Sequence, residues 1–199
     1  MAHLCPHQHV WTFDNFLRPL LHNPEKLFSP YVKSGMRVMD VGCGAGFAVL
    51  GMAKLVGETG KVIAVDVQPE MLAKVERRKQ KAGFQNRIET HLSRTDALQV
   101  SGSFDFVNAF YMAHEVPDTD HFLHQIYDCL TPDGAFLIVE PKFHVSKNRF
   151  HAMLKAAKKV GFKEASHPQI LFSRAVVLSK RFKRKDEKLI NSISKYKNK

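Results

Sequence analysis

The chain has 199 residues, three cysteines and a formal net charge of +11. That length suits one domain able to bury a full core, and Cys5, Cys43 and Cys129 are too scattered for a disulfide-stapled scaffold, which fits a reducing compartment. No apolar run reaches transmembrane length and the N-terminus shows no apolar export segment, so a soluble, cytoplasmic protein without a membrane span is expected.

Near the start, Cys5, His7 and His9, with His3 close by, have a spacing from which a zinc site can be built. No second cluster completes a tetrahedral set, so no metal is expected and a mobile arm accounts for the same residues. Trp11, Phe13, Phe16, Leu17, Leu20 and Leu21 give a short helix an apolar face. Asn23 and Pro24 read as N-cap and first helical position of a second short helix, which Pro30 ends.

Val38, Met39 and Val41 form a buried strand that runs directly into Gly42, Gly44 and Gly46. Phe47, Leu50 and Leu55 then recur at helical spacing up to Gly57, a C-cap candidate, so the glycine turn opens a helix. Glycines let backbone approach a ligand closely, and a helix N-terminus offers unpaired N–H groups, so this is nucleotide-binding geometry. Lys61 to Val65 reads as a second strand ending at Asp66. That acid stands about 20 residues past the turn, where a ribose diol is bound in such folds.

Pro69 to Ala82 reads as a helix with Met71, Leu72 and Val75 inward and a basic, solvated face of Lys74, Arg77, Arg78, Lys79 and Lys81. Residues 87–92 alternate as a third strand, with Asp96 and Ala97 shortly after. Phe104 to Ala109 is the fourth strand, followed by a loop from Phe110 to Asp118. In an open parallel sheet, ligands bind beyond the carboxyl ends of the strands, so this loop should face the reacting group. Its His114 and Glu115 are candidates to take a proton or to orient an acceptor, a capping role or a plain exposed loop being the alternatives. Asn108-Ala109-Phe110-Tyr111 superficially matches the Asn-Pro-Pro-Tyr of amino-methylating enzymes, but both prolines are missing and that chemistry is not assigned.

Asp120 to Leu130 reads as a helix burying Phe122, Leu123, Ile126, Tyr127 and Leu130; His121 and His124, at i, i+3, have a spacing that could share a metal but read as ordinary surface histidines. Thr131 to Gly134 reads as a turn before a fifth strand, Ala135 to Val139, which stops at Glu140 and Pro141. A helix over 147–160 ends at Gly161. Phe162 to His167 and Ile170 to Ser179 are the last two strands, and their tight connection implies an antiparallel pair at the sheet's edge. Lys180 to Lys199 carries nine Lys or Arg against Asp186 and Glu187, leaving only +4 for the other 179 residues. The charge excess that would suggest nucleic acid therefore sits in a tail, read as disordered or a frayed helix.

Asp-Val-Gly-Cys-Gly-Ala-Gly at 40–46, Val65-Asp66 and Leu-Thr-Pro-Asp-Gly at 130–134 together resemble class I S-adenosylmethionine-dependent methyltransferases. The small-molecule branch, similar to the enzymes of ubiquinone and menaquinone biosynthesis, is the nearest in pattern, and the resemblance covers about residues 25 to 180. It implies an α/β, Rossmann-like three-layer sandwich with a seven-stranded, mostly parallel sheet whose last strand is antiparallel. It implies S-adenosyl-L-methionine as cofactor, with Gly42, Gly44 and Gly46 close to it, Asp40 orienting the methionine end, Asp66 on the ribose hydroxyls and Asp96 on the adenine. Val67 and Met71 flank the ring, and Cys43, Ala97, Asn108 and Phe110 complete the cofactor set. Residues 1–33 become a cap over the cofactor, 34–180 the methyltransferase domain and 181–199 a basic tail. A small-molecule acceptor is the leading expectation. RNA or protein as acceptor, suggested by the tail, is second; a Rossmann-type NAD oxidoreductase is third, disfavoured by the Gly-x-Gly-x-Gly spacing.

Overall fold

A computed structural model describes residues 23–181. The short helix expected over the N-terminal aromatics, the Cys5/His7/His9 cluster and the tail beyond Arg181 lie outside the described residues.

Among the described residues, five helices and seven strands build a single sheet with helices on its faces. Helix α1 (Pro24–Phe28) starts as its sequence dictates, with the Asn23 side chain accepting the Lys26 N–H at 3.1 Å. Strand β1 (Arg37–Val41) passes through the glycine turn into α2 (Phe47–Leu55), then β2 (Lys61–Asp66), α3 (Pro69–Ala82) and β3 (Ile88–Leu92). Strand β4 (Phe104–Phe110) leads through the 111–118 loop to α4 (Thr119–Cys129), whose N-cap Asp118 accepts from the His121 N–H at 2.9 Å. Strand β5 (Leu130–Pro141), α5 (Lys147–Val160), β6 (Lys163–Ser166) and β7 (Ser173–Ser179) complete the order.

The strands lie in the order β3-β2-β1-β4-β5-β7-β6. Pairs from β3 through β5 are parallel, whereas β7 runs antiparallel to both β5 and β6. The antiparallel last strand expected from the sequence is therefore present, but it lies inside the sheet and β6 forms the edge.

Successive side chains of a strand point to opposite faces, and both faces here are covered. Phe136 and Ile138 pack with Phe122, Leu123 and Ile126 of α4 and with Phe150, Met153 and Ala157 of α5. Leu137 and Val139 face the other layer, shared with Phe28 of α1, Val49 and Met52 of α2, and Leu72 and Val75 of α3. Two apolar layers around a sheet give the three-layer sandwich.

Several boundaries differ from the sequence reading. In α2, Ala48, Val49, Gly51, Met52 and Ala53 are buried while Leu50 and Leu55 are only half-buried, because α1 covers the side that amphipathic spacing had assigned to solvent. Thr131 to Gly134 is not a separate turn: β5 begins at Leu130, opposite Phe104, and the next pair is Phe106 with Ala135. The extra residues are absorbed as a bulge within the strand. The strand expected over Ile170 to Ser179 starts only at Ser173, after a turn at Phe172, whose φ of +58° an extended strand does not accommodate.

Candidate active site

The register of the parallel strands places the carboxyl ends of β1, β2, β4 and β5 side by side, so residues far apart in sequence converge there. Asp40 pairs in register with Ala64 of β2 and Asn108 of β4. It is 2 % exposed, and Asn108 Nδ2 donates to its Oδ1 at 2.7 Å. A carboxylate only accepts, so this bond orients the Asn108 amide. Its Oδ1 then points elsewhere and, among the described residues, has no hydrogen-bond partner. An orphaned buried acceptor costs free energy that an N–H donor on a ligand would recover.

The turn between β1 and α2 is held from β2. Cys43 N–H donates to the Val65 carbonyl at 3.0 Å, and Gly44 N–H donates to Asp66 Oδ2 at 2.9 Å. Asp66 Oδ1 takes the Gln68 N–H at 2.9 Å. Burial pushes the Asp66 carboxyl above its ordinary value, and the backbone N–H bonds from Gln68, Gly44 and Val67 only partly offset that. Asp66 is thus a buried acid with three of its about four lone-pair sites taken by backbone N–H groups, leaving about one for a further donor.

Gly42 is required by what lies above it. Its φ is +64°, and a Cβ there would stand 2.8 Å from both Cβ and Cγ of Met112. The absent side chain lets the loop after β4 close down on the turn. Cys43 is buried, as a small filler should be. The expected solvated face of α3 needs correction at Arg78, whose Nη1 donates to the Ala45 carbonyl at 2.7 Å and ties the helix to the glycine turn. Helical periodicity sees only the face of a residue, not the reach of its side chain.

Met71 is buried and Val67 half-buried at the start of α3. Phe110 is buried at the end of β4. Asp96 stands on an exposed loop after β3, where its carboxylate takes two bonds from Arg94, at 3.0 and 3.2 Å, that hold it below the usual carboxylate range. The Asp96 carbonyl accepts from Gln125 Nε2, and Ala97 next to it is half-buried.

The loop after β4 turns sharply at Tyr111, a non-glycine residue with φ of +64°. The phenol lies 2.6 Å from Ser173 Oγ and the Tyr111 N–H donates to the Val139 carbonyl, so β5 and β7 hold this turn. His114 follows, facing Glu140. Its backbone N–H donates to Glu140 Oε1 at 3.0 Å and its Nδ1 lies 2.6 Å from Glu140 Oε2. Glu115 Oε1 is 3.9 Å from His114 Nε2. Sequence reasoning placed Glu140 only at a strand end. The available signal was a lone acid closing the apolar run 135–139.

His121 and His124 are exposed, and no group of three or more His, Cys, Asp or Glu side chains suited to a metal occurs among the described residues. No helix among them is long and apolar enough to cross a membrane.

Among curated proteins, the chain is 35 % identical over 112 residues to a demethylmenaquinone methyltransferase of Lactobacillus johnsonii, covering 55 % of this chain and 45 % of the relative. It is 30 % identical over 110 residues to the Escherichia coli ubiquinone/menaquinone biosynthesis C-methyltransferase UbiE, covering 55 % and 44 %. The chain thus spans less than half the length of these relatives. A crystal structure of a SAM-dependent methyltransferase from Aquifex aeolicus superposes with a TM-score of 0.78 at 26 % identity, covering 88 % of this chain and 98 % of that one. A family model described as a methyltransferase domain matches residues 32–191, and the chain belongs to that family.

Proposed function

We propose that this protein transfers a methyl group from S-adenosyl-L-methionine to a small-molecule acceptor, one that loses a proton in the reaction. The observation that carries the reading is the grip of Asp66 on the glycine turn beside the Asp40–Asn108 pair. These residues fit the cofactor. Asp40 and the unsatisfied Asn108 Oδ1 offer acceptors to an ammonium group, and Asp66 offers its remaining acceptor site to a ribose hydroxyl. Gly42, Cys43, Gly44 and Gly46 supply close backbone approach, and Val67, Met71 and Phe110 supply apolar contact. The family resemblance gives Asp96 and Ala97 the adenine end, and Arg94 takes two of the about four lone-pair sites of the Asp96 carboxylate.

When bound, the cofactor supplies a methyl group already activated by its sulfonium charge. The protein's task is to hold the acceptor in line and to exclude water. An acceptor attacking through carbon or hydroxyl must also release a proton, and the proposal gives His114, with Glu115 3.9 Å from its Nε2, the task of receiving or steering it. The names of the quinone-biosynthesis relatives support an acceptor of that kind. In the same reading residues 1–33 form a cap, 34–180 the catalytic domain and 181–199 an accessory basic tail, in a cytoplasmic protein.

Calorimetry on the full chain with S-adenosylhomocysteine and, separately, with NAD tests the cofactor. Binding of the first and not the second is expected, and the reverse would overturn the proposal. Methyl transfer from labelled donor to reduced demethylmenaquinone, compared with bulk RNA, tests the acceptor class. Label entering RNA alone would refute a small-molecule acceptor.

A further inference from the structure

We infer that Glu140 is a positioning residue that fixes the tautomer of His114 and leaves Nε2 as the basic nitrogen facing the acceptor. The inference rests on the methyl-transfer reading above and deepens it.

Glu140 is 0 % exposed at the end of β5, yet it is a carboxylate in an otherwise apolar run. A buried acid needs donors for its oxygens. Among the described residues both of its donors belong to one residue: Oε1 takes the His114 backbone N–H and Oε2 faces ring Nδ1 at 2.6 Å. The backbone bond fixes where the residue sits and the ring bond fixes how the imidazole is turned. With Glu140 as the ionised, acceptor-only partner, the proton between the two groups sits on Nδ1. In a neutral imidazole the lone pair then belongs to Nε2.

The surroundings hold this arrangement from the other elements packed against it. Arg149 of α5 donates through Nη2 to the His114 carbonyl at 2.6 Å, which clamps the loop without occupying the ring nitrogens. His144 packs its ring against that of His114, centroids 5.0 Å apart and 62° between planes. Arg174, opposite Glu140 in the β5–β7 register, sends its guanidinium to the carbonyls of Lys142 and Val145. Glu115 Oε1, 3.9 Å from Nε2, is too distant for a strong hydrogen bond but close enough to favour a proton arriving there.

The step this arrangement serves is a single proton transfer. An O–H bond of the acceptor breaks, its electron pair stays on the acceptor as the nucleophilic pair, used at oxygen or through conjugation at a ring carbon, and the proton forms an N–H bond at Nε2. The resulting imidazolium is held between the carboxylates of Glu140 and Glu115.

The test begins with long-range 15N–1H NMR of the full chain, the His114 signals being assigned by their loss in His114→Gln. A neutral ring protonated at Nδ1 is expected in the unsubstituted protein, with conversion to the Nε2–H tautomer in Glu140→Gln, whose amide N–H₂ must face a lone pair. A neutral Nε2–H ring in the unsubstituted protein, a ring protonated on both nitrogens at neutral pH, or no tautomer change in Glu140→Gln would each overturn the inference. The unsubstituted spectrum decides even if the variant folds poorly. With reduced demethylmenaquinone as probe, Glu140→Gln should lower kcat by about 100-fold or more with KM nearly unchanged, and the loss should not add to that of His114→Ala. Full activity in either variant would overturn the base role. Failure of the unsubstituted protein to bind S-adenosylhomocysteine would instead refute the methyl-transfer reading and leave the tautomer result standing.

Discussion

Asn108 and Asp40 stand side by side on β4 and β1, joined by a 2.7 Å bond that leaves Asn108 Oδ1 buried without a partner among the described residues. The orphaned acceptor costs free energy that an N–H donor on a ligand would recover. Asn108→Ala should cost about 1–3 kcal/mol of stability, because Asp40 loses a buried donor, and should weaken S-adenosylhomocysteine binding. Asn108→Asp should be worse at neutral pH, since two adjacent buried carboxylates cannot both ionise easily. One of them then has a folded pKa raised above its unfolded value, so its penalty lessens as the pH falls through that raised value. Urea unfolding at pH 7 and pH 5 checks both; a pH-independent deficit for Asn108→Asp would contradict the geometry.

Asp66 predicts a proton linkage. Its carboxyl is raised by burial in the free protein, and hydroxyl donors on a bound ribose would lower it. Binding therefore releases a proton between the two values, and affinity for S-adenosylhomocysteine should fall as the pH drops through the raised free-state value, by at most about tenfold per pH unit. Asp66→Asn should weaken binding about 10- to 100-fold and abolish this dependence. Calorimetry in buffers of different ionisation enthalpy measures the proton directly.

Gly42→Ala combines a positive φ with a Cβ 2.8 Å from Met112. The expected cost is about 1–3 kcal/mol in denaturant unfolding, with loss of donor-site affinity as the loop after β4 lifts. Adding Met112→Ala removes the Cγ contact but not Cβ or the backbone strain, so it should restore only part of the stability.

Arg78 holds the Ala45 carbonyl across from α3. Arg78→Gln should leave the circular dichroism spectrum unchanged while costing about 1–2 kcal/mol and loosening the glycine turn, read as faster amide exchange at residues 43–46. Unchanged exchange there would show that the bond does not restrain the turn.

Cys129 has its thiol pushed up to about 11 by burial. Alkylation requires the thiolate, so in the native protein at pH 8 iodoacetamide should leave Cys129 unmodified, and urea should make it reactive. Peptide mass mapping after a timed quench distinguishes the two.

Taken alone, the order of residues marked most of the strands and helices and supplied the residues proposed for the cofactor end of the site. Apolar runs, the Asn23 and Gly161 caps and the Gly42-to-Gly46 turn are local signals, because helix caps and positive φ depend on residues within one turn of chain. The spacing from that turn to Asp66 is also local enough to read. Tertiary structure alone decided which side chains meet across strands. Asn108 reaches Asp40 over 68 positions and His114 reaches Glu140 over 26, distances set by parallel pairing and not by any periodicity. Arg78 and Leu50 mark the same limit: spacing assigned each a face, but a neighbouring element decided what covered or captured it. A parallel sheet buries strands on both sides, so its sequence shows only that residues are inside, and the partner of a buried polar group emerges once the register is fixed.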